Sequence, residues 1–292
     1  MTRSRETQAI LFGLAAVALW STVATAFKLG LAFLTPIQLL WLGSVFSLGF
    51  FTIAKLFIAP TPLTRAIYWR AGLLGLMNPF AYYLILFEAY DRLPAQIAQP
   101  LNYTWGITLA ILAIPLLKQR LSPKALLGIG ISYVGVVILV TRGASVGIGT
   151  FDLGGITLAL LSTLLWSLYW LATIRLDCHP ALLMLIGFAV ATPIIGLLCW
   201  FTDGLPPLSL RTLSVGIWVG LFEMGITFLL WQKALSLTRH VAKISQLIFL
   251  SPFISLLLID KILAEPVHSS AIISLGLIVL GVALVNKPTT AR

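Results

Sequence analysis

Glu223 stands in the apolar stretch VGLFEMGITFLLW (219–231), and it is the one acid that falls deep inside a prospective membrane span. An ionisable group at that depth marks a pathway: it attracts a cationic group of a solute or carries a proton. A neutral glutamic acid hydrogen-bonded to a neighbouring helix is the structural alternative. At helical spacing, Gly220, Glu223 and Thr227 share a face, and Gly75, Asn78 and Tyr82 occupy the matching places in an earlier stretch. A second group is aromatic. LLWSLYWL (164–171) puts Trp166, Tyr169 and Trp170, with Thr173 beyond, on one face, and Trp20 and Trp105 also lie at mid-depth. An indole N–H turned to hydrocarbon would lack a partner, at roughly 2 kcal/mol or more, so these rings are expected to face the bundle interior or water. Trp69, Trp200 and Trp231 lie toward span ends and fit an interfacial belt. Gln96, Gln99 and Tyr103 make a third polar face, with Lys243 and Gln246 as its counterpart. Together these residues describe a cavity for something flat, apolar and only partly polar. Rings around one acid also suit a flat cation.

Other chemistries find less support. No G-x-x-x-x-G-K-[ST] loop is present for a nucleotide. His179, His240 and His268 pair with no serine at hydrolase spacing, so no enzyme activity is expected. Cys178–His179 supplies two metal ligands where a structural zinc needs four, and Cys199 falls at the far end of the next span, out of reach for pairing. No metal or cofactor is expected.

The elements that position these groups follow from composition. Hydrophobic residues make up 59 % of the 292 and charged ones 10 %, with mean hydropathy +1.03. A soluble domain carries about 25 % charged residues, so lipid must solvate this chain. Apolar runs of about 20 residues give ten spans: 8–30, 36–58, 69–89, 94–117, 122–141, 153–175, 180–201, 211–234, 240–260 and 267–286. Arg3 and Arg5 before an apolar run and Ala24-Thr25-Ala26 imitate a cleavable signal, but the run exceeds an ordinary signal core and is read as a retained first span. With the N-terminus inside, only Lys28, Arg92, Arg142, Arg211 and Lys261 of the 19 lysines and arginines lie outside, which places both termini in the cytoplasm. Lys28 and Lys243, near span ends, are expected to snorkel. The net charge of +10 is thus topogenic, and no nucleic-acid partner is expected. Lipid and a small-molecule substrate are the expected partners, and a monomer is compatible with the sequence.

The chain repeats itself. Trp20-Ser21 recurs as Trp166-Ser167, and Gly130 and Gly135 recur as Gly276 and Gly281, each 146 positions on. Gly75-Leu76 and Ala89 correspond to Gly220-Leu221 and Ala234, and Ala95–Gln99 to Ala242–Gln246, at nearly the same offset. The expected organisation is two five-helix repeats, 1–146 and 147–292. Five is odd, so the second enters the membrane inverted, an arrangement that supplies alternating access to a site near mid-bilayer. Pro79, Pro100 and Pro252 are candidate kinks that would gate it. Gly128, Ser132 and Gly135, matched by Ser274 and Gly281, read as close helix packing.

With ALWS (18–21), LLWS (164–167) and SPFISLLLIDKILAEP (251–266) before a Gly-spaced last span, the chain resembles the drug/metabolite transporter superfamily in its EamA-type branch. Within that branch it is most similar to the YddG-type exporters of aromatic and other neutral amino acids. LAIPLLKQRLSP (112–123) departs from the acidic ending common in EamA repeats, with Gln119 where the second repeat has Glu265. The resemblance implies a ten-helix, all-α exporter of the inner membrane, and the faces described above put its substrate against Trp20, Tyr82, Trp166 and Trp170, with Asn78, Glu223 and Gln246 at the polar end. Efflux of lipophilic cationic drugs or other small metabolites is the alternative function.

Overall fold

The computed structural model describes residues 2–58, 62–117, 123–145, 152–173, 176–238, 244 and 246–285. Every described element is helical: α1 (Thr2–Ser21), α2 (Val23–Leu31), α3 (Pro36–Ala54), α4 (Arg65–Gly75), α5 (Tyr82–Arg92), α6 (Ala95–Tyr103), α7 (Trp105–Leu117), α8 (Pro123–Ser145), α9 (Leu153–Thr173), α10 (Pro180–Thr202), α11 (Leu210–Trp218), α12 (Ile226–Leu237), α13 (Ser251–Ile262) and α14 (Ser269–Val285). Short polar residues start three of them, α3, α4 and α11, where the backbone N–H groups need acceptors. Thr35 and Gln38 form a reciprocal capping box ahead of Pro36, Thr64 accepts from the Ile67 N–H, and Ser209 from the Thr212 N–H.

Among the described residues, seven helical stretches are long and apolar enough to cross a bilayer: Arg5–Leu31, Pro36–Phe57, Arg65–Arg92, Ala95–Leu116, Leu153–Thr173, Pro180–Thr202 and Leu210–Leu237. Leu126–Leu139 and Ser269–Leu284 are apolar but shorter. The stretch expected as a continuous span at 240–260 is instead divided, with a 3-10 turn at Gln246–Leu250 before α13. Pro252 is responsible: it has no N–H to give a preceding turn and therefore sits in the first turn of α13, not inside a kinked helix. Four further stretches are interrupted: at Thr22, at the π-helical segment Leu76–Ala81, at Thr104 and at the π-helical segment Val219–Glu223. The Leu76–Ala81 break contains Pro79, and Asn78 there leaves helical geometry (φ −145°, ψ 115°). Pro100 lies inside α6, four residues before the Thr104 break.

The packing pairs helices distant in sequence. α1 lies on α12 and α5 on α9; α3 lies on α10 and α8 on α14. The last pair approaches closely because a side chain on Gly281 would fall on Ser132 and the Gly128 carbonyl, while the Ser132 hydroxyl donates to the Ile278 carbonyl at 3.1 Å. The small-residue reading of that face therefore holds. Phe27, Phe51, Phe87 and Phe188 are fully buried, whereas Leu56, Phe57, Trp69, Trp200 and Phe201 point outward. Apolar side chains thus fill the interior and also coat the outside, as in a protein solvated by lipid. This is a multi-pass membrane protein.

Candidate functional site

A cavity of about 590 Å³ runs through the bundle. Its wall begins at Phe27 and Tyr90, passes Tyr82, Trp166 and Glu223, and reaches Leu235 and Ala283 in the last turns of α12 and α14. The expected contributors (spans 1, 3, 4, 6, 8 and 9) all line it, and α14 joins them through Val282 and Ala283.

Broken helices shape this wall. Gly75 precedes one π-helical segment and Gly220 lies inside the other, and each is pressed on another backbone: a Cβ on Gly75 would strike Gly187, and one on Gly220 would strike Gly43. The Ser47 hydroxyl also donates to the Gly220 carbonyl at 2.8 Å. Breaks of this kind re-aim side chains and recur at functional sites. The second break leaves Glu223 half-buried at the cavity, where its carboxylate accepts from the Tyr83 hydroxyl at 3.0 Å.

The rings form a continuous wall. Tyr82 and Trp166 lie 4.7 Å apart, tilted by 31°, and Trp170 meets Trp166 edge-on at 5.9 Å. Phe228 sits 6.0 Å from Trp166 and 5.7 Å from Trp20, which in turn packs on Trp231 at 5.6 Å. Polar atoms concentrate near Tyr82. Asn102 donates to the Ser162 hydroxyl at 3.0 Å and to the Tyr82 oxygen at 3.5 Å. Gln99 is 3 % exposed and its Oε1 has no hydrogen-bond partner among the described residues; the Trp170 Nε1 likewise has none among them. Both residues line the cavity, and a buried acceptor and a buried donor left without partners favour a solute that offers them polar groups.

Of the residues singled out from sequence, Trp20, Tyr82, Gln99, Tyr103, Trp166, Trp170 and Glu223 line the cavity together. Asn78, Tyr169 and Thr227 do not. Asn78 occupies the non-helical residue of its break, out of phase with Tyr82, and packs beside Tyr169. The Tyr169 hydroxyl reaches the Met184 sulfur at 3.4 Å, behind the wall. The Thr227 hydroxyl donates to the Phe222 carbonyl. The turn at Met224-Gly225 resets the helical register, so Phe228, Trp231 and Leu235 take the face that uninterrupted spacing assigns to Thr227. The side chains of Gln246 and Lys243 lie outside the described residues. Trp231 is therefore a cavity residue, not part of the interfacial belt. Asn102 and Tyr90 were missed, although Gln99, Asn102 and Tyr103 share one helical face and Tyr82, Leu86 and Tyr90 follow i, i+4 spacing.

Beyond Tyr90, around Leu93-Pro94, side chains tie several elements together. Lys28 does not snorkel: its ammonium donates to the Tyr90 and Leu93 carbonyls at 2.9 and 3.2 Å, at the C-terminus of α5. Glu265 accepts from the Ala95 N–H at 3.1 Å, at the N-terminus of α6. Each charge thus meets the helix end whose dipole it complements. Gln96 donates to the Pro266 carbonyl and accepts from the His268 N–H, at 3.0 and 3.2 Å, so it serves these ties and not the cavity wall. Arg92 adds an exposed pair with Asp152. Among the described residues no three His, Cys, Asp or Glu side chains converge as a metal site.

A profile of the EamA-like transporter family matches residues 7–141 and again residues 153–287. The chain belongs to the EamA-like transporter family. This EamA-family chain is 27 % identical to the aromatic amino acid exporter YddG of Ancylobacter novellus, over 97 % of its own length and 98 % of that protein's. It is 24 % identical to an uncharacterized transporter of Archaeoglobus fulgidus, over 93 % and 96 %. A solved crystal structure, 24 % identical, shares the fold with TM-score 0.66 over 96 % of this chain and 98 % of the other. The EamA-family chain is accordingly a transporter and not an enzyme.

Proposed function

We propose that this transporter exports aromatic and other neutral amino acids across the inner membrane, exposing one central site alternately to each side. The observation that carries the reading is the cavity wall of Tyr82, Trp166, Trp170, Phe228 and Trp20 around Glu223, the one acid among the described lining residues. Rings stack a side chain, Glu223 takes the ammonium, and Gln99, Asn102, Tyr103 and the Trp170 N–H serve the remaining polar atoms. Asn78, Tyr169 and Thr227 act from behind the wall by fixing it, and Gln246 remains a proposed contact. The full-length likeness to an aromatic amino acid exporter points the same way.

In this reading ten spans form two inverted five-helix repeats, 1–146 and 147–292, with both termini cytoplasmic. Two features favour it: the family profile matches twice, and the packing of α1 on α12 mirrors that of α9 on α5. The charge distribution then puts the ties made by Lys28 and Glu265 on the outer side, and the reading takes that side as the closed one. Halves that rock against one another must break the Gln96–His268 tie to open outward; Pro79 sits in the break where span 3 would flex, and Pro100 lies inside α6, one turn before the break at Thr104 in span 4. Efflux of a lipophilic cation is the second reading, favoured by the lone carboxylate among rings.

Growth separates the two. Cells producing the protein should tolerate a toxic phenylalanine analogue better than cells lacking it, with no gain against a lipophilic dication. Tolerance to the dication alone would replace the first reading with the second.

A further inference from the structure

The ring pair at the cavity is built twice. Trp166 and Tyr82 form it from α9 and α5, and Trp20 and Phe228 form it from α1 and α12. Trp20 precedes its repeat counterpart Trp166 by 146 positions; the flanking residues align Tyr82 with Thr227, but the turn at Met224-Gly225 shifts the register so that Phe228 takes beside Trp20 the place that Tyr82 takes beside Trp166. The two pairs share one wall, because Phe228 lies 6.0 Å from Trp166. Their surroundings differ. Glu223, Gln99, Asn102 and the Trp170 N–H gather around the first pair, whereas the second is extended by Trp231 and Leu235, and among the described residues the wall there is apolar. The cavity volume of about 590 Å³ lies well inside the ~300–1,000 Å³ range of sites that enclose drug-sized molecules.

We infer that Trp20, Phe228 and Trp231 form a second ring-binding subsite, and that the cavity takes solutes with two aromatic ring systems on one ammonium-bearing backbone, an aromatic dipeptide being the simplest. The ammonium and the first ring occupy the Glu223–Tyr82–Trp166 end, and the second ring packs against the cavity side of Phe228, Trp20 and Trp231. Offset and edge-on ring contacts add to the burial of the ring itself. This rests on the amino acid reading above for the ammonium end, but the second subsite stands on its own residues.

The test is equilibrium binding of three labelled ligands to the purified full chain in lipid nanodiscs, with empty nanodiscs subtracted: phenylalanine, phenylalanyl-alanine and phenylalanyl-phenylalanine. The two dipeptides differ only in the second ring. The wild-type protein should hold phenylalanyl-phenylalanine about tenfold more tightly than phenylalanyl-alanine. Trp20→Ala and Trp231→Ala should bring that ratio near one, and Trp166→Ala should weaken both dipeptides together. A wild-type ratio near one overturns the inference even if the variants do not fold, as does a ratio that survives both Trp20→Ala and Trp231→Ala. Phenylalanine that binds while the second ring adds nothing removes only the subsite. Phenylalanine that fails to bind while the tenfold ratio holds removes only the amino acid reading. No binding of any of the three removes both.

Discussion

Glu223→Gln is the substitution with the most to say about the site. The amide keeps the size of the carboxylate, and its oxygen can still accept from the Tyr83 hydroxyl at the 3.0 Å now seen, so the fold should persist. What is lost is the negative charge at a half-buried position facing the cavity. A hydrogen bond to a charged group contributes about 1.5–3 kcal/mol, which converts to roughly 10- to 150-fold in affinity. Phenylalanine binding should weaken by that factor. A deaminated analogue that keeps the ring should change by less than about threefold, since it offers no ammonium to lose. The assay is equilibrium binding of both ligands to wild type and variant, with thermal melting as the fold check. Equal losses for the two ligands, or no loss for phenylalanine, would refute the assignment of Glu223 to the ammonium.

Three further outcomes follow from the geometry. Glu265→Ala removes the acceptor at the Ala95 N–H; discounted for partial exposure, that bond contributes about 1 kcal/mol, or about fivefold in the open population. In a Cys178→Ser, Cys199→Ser background carrying Leu86→Cys, labelling by a membrane-impermeant thiol reagent from outside should speed up by that factor, and an unchanged rate would argue against a closure there. Gly281→Val forces a side chain onto Ser132 and the Gly128 carbonyl, at about 1–3 kcal/mol; the melting temperature should drop, and an unaltered one would contradict the close contact of α8 and α14. Trp166→Ala takes away the ring that touches Tyr82, Trp170 and Phe228, and phenylalanine affinity should fall about tenfold or more, as for a buried aromatic contact, read by the same binding assay.

The membrane character and the principal rings were legible in the sequence because composition and helical spacing report them directly. Trp20, Trp166 and Trp170 stand out as indoles far from the ends of their spans, and they do line the cavity. Glu223 stands out as the one acid at depth, and it does too. Spacing fails where the helix stops being regular. Thr227 and Asn78 share a face with Glu223 and Tyr82 only on an unbroken helix, and the breaks at Met224-Gly225 and Asn78 turn them away. Trp231 lies near a span end, so hydropathy assigns it to the interface; its packing on Trp20 is a tertiary fact that no local pattern contains. Lys28 illustrates the same limit, because the two carbonyls that hold it belong to residues more than 60 positions away.

Counterflow in proteoliposomes tests the central claim most directly. Vesicles containing the purified protein and loaded with unlabelled phenylalanine should accumulate labelled phenylalanine transiently and saturably, should do so with tryptophan as the trapped solute as well, and should lose the effect with Trp166→Ala. Absence of counterflow for every aromatic and neutral amino acid, in vesicles that do exchange a lipophilic dication, would contradict the account.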